Sequence, residues 1–457
     1  ILCCKVNRMK IKFLGASGTV TGSSYVLAGG SGQSILIDLG MFQGTANIER
    51  LNYEAFDYDC SRLIGAILTH AHLDHCGRLP ILLTKGFKGR LRMTPATRDL
   101  TELSLLDSAK IAKQDNKEIL YDENLAIKTI QSFIAVDYRT PTQIEDFTVT
   151  FRDAGHILGS ASLEIEDKSA NGKFRKIVFS GDLGNSPEDL VQKTELIDSA
   201  EVVVIESTYG DRLHPKSDPS EALQSEINAV ESSGGALLIP TFSLDRTQEV
   251  MHLIKHLKNS GKVLDETPVY LDSPMAQKAT LDYLKYRKLF NPHIQDDLKF
   301  GTPFEFPGLE IVNNGKVSQA IHDKSGPKVI IAGSGMMTGG RILGHAAHYL
   351  PLPSTRLFIV GYQGEETLGR ELLEGNKKVY IDNVNVNVKA TVNFTQSMSS
   401  HADQLQLINW LKHIKGVEKV FITHGEDAAR LALSKKISEE LGIKDVTLPV
   451  LNEEVSL

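Results

Sequence analysis

Apolar residues in the first half of the chain come in short runs separated by glycine, serine and aspartate. IKFLG (11–15), SSYVLA (23–28) and SILIDLG (34–40) are followed by IGAILTH (64–70), FTVTFRDAGH (147–156), SLEIED (162–167) and KIVFSGDLG (176–184). Runs of this length bounded by turn residues predict β-strands. Between 96 and 133 the period becomes helical, with many Leu, Ala, Lys and Glu. From about 209 longer strand–helix units alternate. GALLIP (235–240) leads into a helix near 243–258, PVYLDS (268–273) into another, and KVIIAGSG (328–335) into a third near 341–350. Single strands return at KATVNF (389–394) and at KVFITH (419–424), which precedes a final helix. The pattern predicts a layered α/β architecture. Its changes of texture predict one domain inserted into another: 9–208 and 389–457 form the outer domain, and 209–388 the insert.

Composition narrows the class. With 41% hydrophobic and 23% charged residues among 457, the chain is neither disordered nor a coiled-coil rod. No apolar run approaches the roughly 18 residues of a membrane span, and VVVI (202–205) is strand-sized. No secretory signal is expected, and residues 1–8, ahead of Met9, are expected to lie outside the fold. Cys3, Cys4, Cys60 and Cys76 form no CxxC pair, which points to a reducing, cytoplasmic setting with no membrane partner. Fifty basic residues against 57 acidic ones leave a net charge of −7, so an anionic partner must be held by local charge or by metal. One local excess follows position 75: Arg78, Lys85, Lys88, Arg90, Arg92 and Arg98, with no acid among them. It reads either as a guide for a polyanion or as a solvated basic face.

The chemistry concentrates in HAHLDH at 70–75, directly after a strand. His70 and His72, two apart, project to one side of extended chain, and Asp74 and His75 follow where a helix begins. Imidazole and carboxylate together suit zinc and related metals. Cys76, beside them, reads as a packing residue. Other candidates share one placement, the C-terminal end of an apolar run: Asp38, His156, Asp182, Glu206 and His424. Ligand sites collect at such strand ends, and several of them together suggest a polynuclear metal site.

These motifs resemble the metallo-β-lactamase fold through HAHLDH, His156 and Asp182. ESTYGDR (206–212), SSHAD around His401 and ITHGE (422–426) resemble its β-CASP nuclease branch, as do GALLIPTFSLDRTQE, VYLDSPMA and GSGMMTGGR. The resemblance implies an αββα sandwich carrying an inserted α/β β-CASP domain, with a deep cleft between the two. It implies two zinc ions per chain, with manganese as a substitute. His70, His72, His156 and Asp182 would hold one ion. Asp74, His75, His424 and the bridging Asp182 would hold the other, with Asp38 orienting a ligand histidine. A hydroxide activated by both metals would attack the phosphorus. His401, positioned by Glu206, would protonate the leaving 3′-oxygen; His401 also reads as a polar residue at the start of the helix ADQLQLINWL. Histidine at 424 accompanies RNA enzymes in the family, so single-stranded RNA is the implied substrate. Homodimers are common among such proteins. With little chain after His424, the appended domains of some relatives are not expected.

The insert offers phosphate candidates. GSGMMTGG (333–340) has the spacing G-x-G-x-x-x-G and not the dinucleotide fingerprint. It reads either as helix-start amides facing a phosphate, helped by Ser334 and Arg341, or as a tight turn. Arg246, opening its helix, is a similar candidate. The competing function is a metal-dependent hydrolase of small esters, thioesters or lactams on the same fold, which requires neither the insert nor the Glu206–His401 pair. A diiron protein commonly places glutamate where His72 stands, and a non-catalytic binder would lack ligands that are all present here.

Overall fold

In the strand Phe147–Asp153 every second residue is buried, as a sheet with one face on a core requires. The next strand, Ala161–Asp167, is buried on both faces over most of its length. The computed structural model describes residues 8–114, 118–169, 175–185 and 190–457. All but residue 8 of the expected N-terminal extension, with Cys3 and Cys4, lies outside them.

The chain divides into two units, residues up to 213 together with 400–457, and residues 214–399. The first holds two seven-stranded sheets. One runs, in spatial order, through Glu454–Ser456, Lys10–Phe13, Tyr25–Ala28, Ser34–Ile37, Leu63–Ile67, Arg90–Met93 and Phe133–Ala135. The other runs through Asp445–Thr447, Lys419–Ile422, Val202–Ile205, Lys176–Phe179, Ala161–Asp167, Phe147–Asp153 and Thr142–Ile144. Phe13, Tyr25, Ile35 and Ile67 from the first sheet pack with Phe151, Leu163, Phe179 and Phe421 from the second. The outer face of the first sheet is covered by Leu82, Leu105 and Ala126 of three helices, and that of the second by Leu407, Trp410 and Leu433. Four layers result, αββα. The single tryptophan lies in one of the helical layers, where its indole N–H donates to the carbonyl of Glu195.

The second unit holds an all-parallel six-stranded sheet: Leu309–Ile311, Val269–Asp272, Lys328–Ala332, Ala236–Pro240, Arg356–Ile359 and Thr391–Phe394. A hairpin of Lys378–Ile381 and Val384–Asn387 packs on the same core. The boundary expected at 388 is corrected here. The KATVNF strand pairs in parallel with Arg356–Ile359, which satisfies its backbone in the insert's sheet. The outer unit resumes at Ser400, and at the other crossing it extends to Leu213.

What this fold positions is a row of strand ends. Strands Lys176–Phe179, Val202–Ile205 and Lys419–Ile422 are mutually parallel, as are Ser34–Ile37 and Leu63–Ile67. Asp182, Glu206 and His424 thus emerge from one edge of one sheet, and Asp38 and His70 from one edge of the other. Phe147–Asp153 turns into His156 through Gly155 (φ +65°), whose N–H Asp153 Oδ1 accepts at 2.9 Å. Gly40 lets two site segments touch: a Cβ there would sit 1.6 Å from the carbonyl oxygen of Asp74.

Asp153 itself titrates abnormally. Burial pushes its carboxyl up to about 7, the N–H of Gly155 opposing and the charge of Glu195 adding to it. The folded chain therefore keeps a proton that the unfolded chain releases near pH 4, and this group lowers stability as pH rises from about 4 to about 7. Asp153→Asn keeps the acceptor for Gly155 and removes the titration. Its melting temperature should equal wild type near pH 4 and exceed it by a few degrees at pH 8; a pH-independent difference would contradict the assignment.

Candidate metal centre

The segment after Leu63–Ile67 brings three imidazoles together because it turns at once into the short helix Leu73–Cys76, with His72 at its N-cap. His70 and His75 are buried, and so are His156, Asp182 and His424. Their donor atoms form two groups. His70 Nε2 lies 3.2 Å from His72 Nδ1, which lies 3.2 Å from His156 Nε2. Asp182 Oδ2 faces them, 3.4 Å from His70 Nε2 and 3.7 Å from His156 Nε2. In the second group His75 Nε2 lies 3.1 Å from His424 Nε2. Asp74 Oδ2 is 3.3 Å from His424 Nε2, and Asp182 Oδ1 is 3.3 Å from His75 Nε2. Asp182 thus divides its two oxygens between the groups.

These groups fit metal ions on three observations. Among the described residues, both oxygens of Asp182 are buried without a hydrogen bond, which is costly for a carboxylate unless a cation meets it. The spacings match a tetrahedral ligand set, whose edge is about 3.3 Å for metal–ligand bonds of about 2.0–2.1 Å. Finally, the ring nitrogens that face away from the groups are tied. His75 Nδ1 meets Asp38 Oδ2 at 2.8 Å, His156 Nδ1 meets the Ser400 carbonyl at 3.0 Å, and His424 Nδ1 meets Thr208 Oγ1 at 3.1 Å. For His75 and His156 the partner is an acceptor, so the proton sits on Nδ1 and the Nε2 lone pair is free to ligate.

Electrostatics agree in the first group. In the second, burial would lower His75, but Asp182 and Asp74 hold it well above the usual imidazole range, so a cation binding there displaces a proton. Burial, reinforced by neighbouring rings, pushes His70 and His156 well below the usual imidazole range, and burial pushes His72 down to about 4. These rings are neutral ligands. Burial would raise Asp74 and Asp182, but the surrounding histidines overcome it, taking Asp74 down to about 2 and holding Asp182 well below the usual carboxylate range. The site keeps its carboxylates charged and attracts a cation.

Asp38 orders the HAHLDH loop. Its Oδ1 accepts the N–H of Thr69 at 2.7 Å, and its Oδ2 accepts the Thr69 hydroxyl at 2.8 Å alongside His75. Asp38 and His424 both have left-handed backbone, φ +54° and +50°. Such conformations cost energy and persist at sites the surroundings over-determine.

Beside the first group lies a third one, Glu206 and His401 with Asp182. Glu206, buried, accepts the Leu183 N–H at 2.7 Å and faces His401 Nδ1 at 3.3 Å. The His401 segment is strapped to 183–185 by backbone bonds between Ala402 and Leu183 and between Asn185 and Ser400. Burial alone would lower His401, but Glu206 raises it to about 9. The helix-start role falls to Asp403, which forms a capping box with Gln406. Thr69, Thr208 and the Ser400 carbonyl were not singled out from the sequence. Thr69 adjoins HAHLDH and Thr208 lies inside ESTYGDR, whereas a backbone carbonyl leaves no signal.

Two arginine readings are corrected. Arg246 opens its helix as expected but is buried and ion-paired with Glu249, so its charge is already matched. Arg78 is buried, donates to the Gly40 carbonyl and lies 4.6 Å over Phe42, so it belongs to no exposed basic face. Arg341 pairs with Asp272 and remains partly exposed. Ser334 Oγ lies 3.2 Å from Thr338 Oγ1, in a loop partly closed by its own backbone bonds. Cys76 is buried and packs in the core.

Imidazole and carboxylate ligands gathered at the strand ends of an αββα sandwich define a metallohydrolase. Residues 17–225 match the Metallo-beta-lactamase superfamily, 247–372 the Beta-Casp domain, and 385–449 the Zn-dependent metallo-hydrolase RNA specificity domain. The chain is 36% identical over 432 residues to Ribonuclease TTHA0252 of Thermus thermophilus, covering 94% of this chain and 96% of the relative. It is 32% identical over 418 residues to the RNase J-like protein of Methanocaldococcus jannaschii, covering 90% and 91%. It is 31% identical over 456 residues to Transcription termination factor FttA of Methanosarcina mazei, covering 95% of this chain and 70% of that protein. A solved protein of unknown function from Enterococcus faecalis V583 has the same fold, with a TM-score of 0.54 over 98% of this chain and 100% of that one at 12% identity. The chain belongs to the β-CASP ribonucleases of the metallo-β-lactamase superfamily. It is a metal-dependent RNA hydrolase. No helix of the described residues is long and apolar enough to cross a membrane.

Asp38→Asn tests the ligand-orienting bond. Thr69 N–H fixes the amide oxygen on its own side, so the NH₂ faces His75 Nδ1 and drives the ring proton to Nε2, the wrong tautomer for a ligand. Asparagine tolerates the left-handed backbone. Zinc affinity by chelator competition should fall about 10–100-fold with the fold intact by circular dichroism; unchanged affinity would contradict the role.

Proposed function

We propose that the chain is a two-zinc ribonuclease that hydrolyses phosphodiester bonds of single-stranded RNA, with manganese as a substitute metal. The observation that carries this reading is the division of Asp182 between two imidazole sets, beside the Glu206–His401 pair. His70, His72, His156 and Asp182 would hold one ion; Asp74, His75, His424 and Asp182 would hold the other. Bound there, the two cations supply Lewis acidity that lowers the pKa of a water and neutralises charge on the phosphoryl oxygens.

The chain's own groups do the rest. Asp38 keeps the His75 proton at Nδ1. Glu206, fixed by the Leu183 N–H, holds a proton on His401 Nδ1 and favours the charged ring. Nε2, the other ring nitrogen, then carries the proton that passes to the leaving 3′-oxygen. Protonation matters because an alkoxide is a poor leaving group. Ser334 and Arg341, partly exposed in the insert, serve as phosphate contacts. Hydrolysis of small esters, thioesters or lactams on the same fold requires neither the insert nor the Glu206–His401 pair.

His401→Ala should cut RNA about 10²–10⁴-fold more slowly than wild type, and chelation should abolish both activities. On RNA with one sulfur in the 3′-bridging position, the thiolate leaves without a proton, and His401→Ala should approach wild type. An equal loss on both substrates would remove the general-acid assignment. Turnover of a small ester by wild type with intact RNA would replace the reading with a small-ester hydrolase.

A further inference from the structure

The inserted unit carries a separate histidine–carboxylate cluster. On the helix Arg246–Asn259, His252 and His256 are four residues apart and share a face. The short helix Pro292–Asp297 ends against them. Nε2 of His252 lies 2.9 Å from Nε2 of His256, and Asp297 Oδ2 lies 3.4 Å from the first and 3.1 Å from the second. Three donor atoms therefore face one small volume. Protein atoms alone satisfy it poorly. Two ring nitrogens so close can share only one proton, and the Asp297 oxygen competes for it; His252 Nδ1, on the far side of the ring, is buried with no hydrogen-bond partner among the described residues.

The spacings resemble those of the catalytic groups and bracket the tetrahedral edge of about 3.3 Å. We propose that His252, His256 and Asp297 bind one divalent cation of the zinc class through two imidazole nitrogens and one carboxylate oxygen. His252 is buried, whereas the side chains of His256 and Asp297 are 49% and 32% exposed. A cation can enter from solvent and keep a position for water. Burial, then the neighbouring His256, pushes His252 down to about 4, so the buried ring is neutral and offers a lone pair. The bound ion ties the helix Arg246–Asn259 to the segment at 292–297 and shares no residue with the catalytic cluster.

The test is zinc stoichiometry of the full chain, stripped with a chelator and titrated at micromolar free zinc against a chromophoric competitor. His256→Ala removes a half-exposed ring and should bind one equivalent fewer than wild type while cleaving RNA normally. Asp297→Asn should show the same loss. Asp182→Asn should lose catalytic-site zinc and keep the equivalent that His256→Ala lacks. Equal stoichiometry in wild type, His256→Ala and Asp297→Asn would overturn the proposal, and so would a difference seen only at millimolar zinc.

Discussion

A carboxylate buried with no hydrogen-bond donor on either oxygen is among the costliest arrangements a protein interior can hold. Among the described residues, Asp182 is such a group. Its oxygens look in two directions, each toward its own set of imidazole nitrogens. Those rings, together with Asp74, make sense only around positive charge. Most of what is unusual in the outer unit follows from meeting that requirement, including the strained backbone at Asp38 and His424 and the missing Cβ at Gly40.

Two sheets supply the geometry. A sandwich whose inner faces share one aromatic-rich core fixes the strand ends relative to one another. Side chains that leave those ends inherit that rigidity, which a binding site built from long loops would lack. The ring nitrogens of His75, His156 and His424 that turn away from the donor groups are then fixed one by one, by Asp38, the Ser400 carbonyl and Thr208. The His401 segment also contributes that carbonyl, so one short stretch both supports His156 and presents His401 against Glu206.

The sequence made some of this legible and left some hidden, for physical reasons. HAHLDH was readable because its ligands are contiguous and follow an apolar run. Asp38, Asp182, Glu206 and His424 were readable as a set because each ends a strand. The strands themselves were plain in KIVF and VVVI, where burial on both faces leaves an unbroken apolar run. Sheet allegiance was not: the residues of KATVNF suit either sheet, and only pairing with Arg356–Ile359 assigns it to the insert. Nor could sequence tell which charges find partners. Arg246 and Arg78 looked free, yet Glu249 and the Gly40 carbonyl engage them. His252 and His256 passed unnoticed in a helix with ordinary spacing, because Asp297, their third member, comes from a distant segment.

The most direct measurement is anomalous scattering at the zinc edge from crystals of the zinc-loaded chain, read at the Asp182 cluster. Two peaks about 3.5–4 Å apart, one within bonding distance of each Asp182 oxygen, are expected. A single peak there, or two peaks of which neither touches Asp182, would contradict the role given to this carboxylate.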